Sequence, residues 1–84
     1  MVKDEIWSIP IQRAQSFFRQ QSDVTEEHTN IYRFGNCHVT LTDLGSHGTG
    51  FWVTQRIRLR FEGEDADINT LHHRFFIHFL STGG

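Results

Sequence analysis

Residues 51–61 read FWVTQRIRLRF, with Phe51, Val53, Ile57, Leu59 and Phe61 on one parity and Trp52, Thr54, Arg56, Arg58 and Arg60 on the other. A period of two is the geometry of a β-strand, whose successive side chains point to opposite faces of a sheet. The segment is therefore expected to be a strand with an apolar face on the core and a basic face carrying one tryptophan.

Upstream, Thr29–Phe34 and Cys37–Leu41 are two β-rich runs separated by Gly35-Asn36. Glycine at the first central position suits a two-residue type II′ hairpin, which needs a positive φ there. That turn pairs Phe34 with Cys37, Arg33 with His38 and Tyr32 with Val39. It gathers Tyr32, Phe34, Cys37, Val39 and Leu41 on one face and Ile31, Arg33, His38, Thr40 and Thr42 on the other. A slip of one residue would scramble both faces. The stretch Gly45–Gly50 (GSHGTG) reads as a flexible loop into the third strand.

The flanking segments have helical spacing. From Pro10 to about Gln21, Ile11, Ala14 and Phe18 share a face, with Phe17 at its edge and Ser8 available as N-cap. Ser22–His28 is polar and acidic and reads as a connection. From Ile68 to about Leu80, Ile68, Leu71, Phe75 and Phe79 recur at three and four residues, Asp65 or Asp67 can cap, and Gly83-Gly84 ends the helix. The expected fold is α+β in the order α-β-β-β-α, a three-stranded antiparallel meander with two helices packed on one face. That order resembles the double-stranded-RNA-binding domain in topology alone. The second helix of that family begins with lysines that grip phosphate, whereas Glu64–Asn69 here is acidic, so no residue role is implied.

The 84 residues are expected to form one small domain, 1–84, with a core that is barely sufficient. Eight phenylalanines compensate by burying much area per residue. A formal net charge of −2 gives no overall attraction for nucleic acid or an anionic membrane. With one cysteine there is no internal disulfide. No apolar run approaches the ~20 residues of a membrane span and residues 1–5 do not open like a signal peptide, so a cytoplasmic location is expected.

No catalytic, cofactor or metal motif is visible. Cys37 and His38 are strand neighbours that point apart, so they form no thiol–imidazole pair, and Cys37 is expected in the core. The six histidines lack chelating spacing: His73 and His78 stand about 140° apart round a helix. The glycine loop has neither the Lys-Ser/Thr nor the strand-to-helix setting of a phosphate loop.

Two surfaces remain. Arg33, His38, Trp52, Arg56, Arg58 and Arg60 would share the open sheet face, a basic surface around an aromatic platform. It suits an acidic protein partner or, as the second choice, a nucleic acid. Phe76, Ile77 and Leu80 lie off the core stripe of the second helix. A helix apolar nearly all round is seldom left in water, so these three are expected to line a homodimer contact. The expected function is a non-enzymatic interaction module: an adaptor, regulator or inhibitor of a larger protein assembly.

Overall fold

The Gly35-Asn36 turn forms as its chemistry requires. In the computed structural model, which describes residues 1–81 and the side chains of all these except Thr49, Trp52 and Ser81, Gly35 has φ +55°. Its strands pair Phe34 with Cys37, Arg33 with His38 and Tyr32 with Val39. The order of elements is β1 (Val2–Trp7), α1 (Ile11–Gln20), β2 (Thr25–His28), β3 (Ile31–Phe34), β4 (Cys37–Thr49), β5 (Trp52–Gly63) and α2 (Asp65–Ser81). The fold is α+β. Its strands form one antiparallel sheet in the order β1-β5-β4-β3-β2.

The expected meander is thus the centre of a wider sheet. Strands β1, absent from the expected order, and β2, read from sequence as a connection, flank it on either side. Both are charged on both faces (Lys3, Asp4 and Glu5; Glu26, Glu27 and His28), so neither shows apolar alternation. Backbone pairing places them, Val2 to Trp7 against Glu62 to Ile57 and Thr25 against Arg33. With five strands the α-β-β-β-α order no longer holds.

A second departure concerns Gly45–Gly50. These residues are not a loop up to the third strand: Gly45 pairs with Arg56 and the ladder continues to Thr49 opposite Trp52, leaving Gly50-Phe51 as the turn. A register shift between Asp43 and Gly45 marks a bulge. The partner strand overrides the weak strand preference of the glycines.

The core face matches the parity argument as far as Ile57. Tyr32, Cys37, Val39, Leu41, Ile57, Leu59 and Phe61 are buried under Ala14, Phe17 and Phe18 of α1 and Ile68, Leu71, Phe75 and Phe79 of α2. Phe75 is the hub, its ring centre 4.5 Å from that of Phe79, 5.1 Å from Trp7, 5.4 Å from Phe17 and 5.6 Å from Phe18.

The helix ends differ in detail from expectation. Ser8 does not cap α1; Pro10 occupies the N-cap position with no side-chain cap bond, because Pro suits the extended backbone just before a helix. Asp67 instead accepts the Asn36 N–H at 2.8 Å, and the Glu64 N–H donates to the Asn36 carbonyl at 3.1 Å. The first turn of α2 is therefore clamped on the β3–β4 turn. Gly63, at φ +131°, lets that crossing happen: a Cβ there would strike the Asn36 carbonyl oxygen. Gly83-Gly84 lie outside the described residues. No described helix is long and apolar enough to cross a membrane.

Candidate functional site: the open sheet face and its hairpin arm

Both helices lie on one side of the sheet, so its other face is open. Register builds that face in rows. Arg33, His38, Glu62 and Val2 form one; Ile31, Thr40, Arg60 and Asp4 a second; Thr42, Arg58 and Ile6 a third. The basic residues expected to share a face therefore do so, with Arg33 from β3, His38 from β4 and Arg56, Arg58 and Arg60 from β5, all exposed. The Trp52 backbone lies on the same strand, and its side chain lies outside the described residues.

Which acids stand on that face was not legible in the sequence. Asp4 of β1 sits 3.3 Å from Arg58 Nε and 3.6 Å from Arg60 Nη1, and Glu62 is 2.7 Å from Arg60 Nε. Glu27 of β2 sits 2.9 Å from His38 Nε2 and 3.6 Å from Arg33 Nε. The strands hidden from sequence reading thus supply carboxylates to the stripe that was legible. Arg56 alone of the stripe has no ion pair among the described residues. These side chains are about half exposed, so each pair contributes little to stability, of order 0–1 kcal/mol. Their effect is on the field: the face is a mosaic of both signs.

Beyond Ile57, β5 leaves β1, and beyond Thr40, β4 leaves β3. Residues 43–56 continue as a two-stranded arm, which helps stretch the molecule to 43 Å against 24 and 21 Å across. At its end Phe51 is fully exposed (101%) and Val53 largely so (59%). Phe51 and Val53 keep the core parity of Ile57 but have no helix above them. The alternation of 51–61, interrupted only at Gln55, hid this, because period two reports a strand and not its cover.

On α2, Phe76, Ile77 and Leu80 are exposed at 40%, 46% and 61%. Trp7 covers part of this side, its ring centre 6.1 Å from that of Phe76, while Ile6 points to the open face. Trp7 is fixed in turn: its Nε1 donates to Glu5 at 3.1 Å, and His72 Nε2 lies 2.7 Å from the same oxygen. Burial pushes the Glu5 carboxyl up, but the bonds from Trp7 and His72 and the charges of His72 and Lys3 outweigh it and hold it below its ordinary value.

Cys37 is buried, and burial together with the Asp67 charge pushes its thiol up, away from the reactive thiolate. Among the described residues no three His, Cys, Asp or Glu side chains converge as a metal site. The cleft between α1 and α2, floored by Phe17 and Phe79, is shallow and open, with Arg13 5.4 Å from the Phe79 ring centre. No known protein family matches the chain, and neither does any curated protein compared with it.

Proposed function

We propose that this protein is a small non-enzymatic interaction module, an adaptor, regulator or inhibitor that occupies a surface of a larger protein assembly. The working surface in this reading is the open sheet face, with Arg33, His38, Arg56, Arg58 and Arg60 as its basic members and Trp52 as its aromatic one. The observation that carries it is the mosaic itself: Asp4, Glu27 and Glu62 stand within 4 Å of Arg33, His38, Arg58 and Arg60. A polyanion such as nucleic acid would meet repulsion at each carboxylate, whereas a protein surface offers both signs in register. The reading includes a homodimer, with Phe76, Ile77 and Leu80 as apolar surface for it to cover.

The test compares affinity capture by the wild type and by the Arg56→Glu/Arg58→Glu variant, with circular dichroism to confirm that the variant folds. The reading expects a protein captured at physiological salt to be lost with the variant. Fluorescence anisotropy with single- and double-stranded oligonucleotides runs beside it and is expected to show no binding. Oligonucleotide binding by the wild type that the variant loses would replace this reading with nucleic-acid recognition.

A further inference from the structure

We infer that the hairpin arm is a self-pairing element: the free edge of β5 at residues 52–56 pairs antiparallel with the same edge of a second copy of this chain. This rests on the homodimer of the reading above and gives it a contact of its own on the arm, one that holds without Phe76, Ile77 and Leu80.

The edges of the sheet are unequally guarded. An exposed strand edge is a template for pairing, and proteins blunt it with charges, bulges or cover. Strand β1 presents Lys3, Asp4 and Glu5 in succession, and β2 presents Glu26, Glu27 and His28. The free edge of β4 is broken by the bulge at Asp43/Gly45, where the Asp43 carboxylate takes the Gly45 N–H at 2.8 Å. The β5 edge has no such device until Arg56, which in the pairing below faces the partner's position 52 and no like charge. Register with β1 stops at Ile57, and from Phe51 to Gln55 there is no charge, no proline and no register shift.

That edge is also self-complementary. Its midpoint is Thr54, and a two-fold axis near Thr54 sets the threonines of the two copies opposite each other and Val53 opposite the partner's Gln55. No like charges meet, and cross-strand threonine pairs are favourable. An isolated two-stranded hairpin is marginal in water, so doubling it to four strands gives the arm support that its own chain does not provide. The geometry is isologous and closes at two copies, because each arm has one such edge.

Sedimentation equilibrium up to concentrations on the order of a hundred micromolar tests this. The wild type is expected to rise above the mass of one 9.9 kDa chain toward two. Thr54→Lys/Gln55→Lys, which sets lysines against lysines on the edge, is expected to stay at one, while Ile77→Lys still dimerises. A wild type monomeric throughout overturns the inference and the dimer together, leaving the partner-binding face untouched. A dimer that survives the arm variant overturns the inference alone. Should that variant misfold, mild oxidation decides: Thr54→Cys is expected to cross-link far faster than Arg58→Cys, whose edge β1 covers, and equal rates overturn the inference.

Discussion

Strands β4 and β5 each lead two lives. Over Cys37–Leu41 and Ile57–Phe61 their inward side chains are buried under both helices; over residues 43–56 the same two strands, in the same ladder, bury none of the described side chains fully. Backbone pairing is common to both halves, so pairing does not separate them. The difference is a third layer: Phe18 and Phe75 lie over the first half and no described helix lies over the second. Stability therefore belongs to the body, and the arm is left as surface.

The sharpest way to break this contrast is to truncate one ring in each half. Phe75→Ala removes the hub of the aromatic cluster and should cost about 3–5 kcal/mol, lowering the thermal midpoint steeply. Phe51→Ala, on a fully exposed ring, should change stability by less than about 0.5 kcal/mol. Equal losses would mean that the arm packs on the body.

Next in size is the turn that anchors the body. A side chain at Gly35 meets both the positive φ and the Asp67 carboxylate 2.7 Å from where its Cβ would stand. Gly35→Val is therefore expected to cost on the order of 1–3 kcal/mol in chemical denaturation. An unchanged midpoint would show that the α2 clamp on this turn is dispensable.

Smaller still is the comparison along the arginine stripe. Arg58→Ala breaks the contact with Asp4 and should cost at most about 1 kcal/mol, whereas Arg56→Ala, at the base of the arm, should cost nothing measurable. The last effect is a slope. Glu5 is held below its ordinary value when folded, so its tie to Trp7 and His72 adds stability above the usual carboxylate range, which is lost as pH falls through the folded value. Glu5→Gln should flatten the acid limb of a stability profile below about pH 4 and leave the arm's hydrogen exchange unchanged. A profile as steep as the wild type's would place the acid sensitivity elsewhere, at Asp23 beside Arg74 or Glu26 beside Arg19.

The same division explains what could be read in advance. The β3–β4 hairpin was legible to the residue, because Gly35-Asn36 dictates a turn and the flanking alternation permits only one register. Both helices were legible from Phe and Leu spacing, apart from their caps. Strands β1 and β2 were not, since Val2–Trp7 and Thr25–His28 are edge segments whose charges guard the sheet rather than fill the core. For the same reason the arginines of the open face could be found but their carboxylates could not. The arm escaped notice because Phe51 and Val53 repeat the core parity, and burial depends on a layer that alternation does not report.

Amide hydrogen exchange, residue by residue and at two protein concentrations, tests the division between body and arm most directly. Amides of Val39–Leu41 and Leu59–Phe61 should exchange at the rate set by global unfolding, whatever the concentration. Those of Gly45–Arg56 should exchange fast in dilute protein and slow as it is concentrated. Arm amides as protected as the body in dilute solution, or indifferent to concentration, would contradict the account.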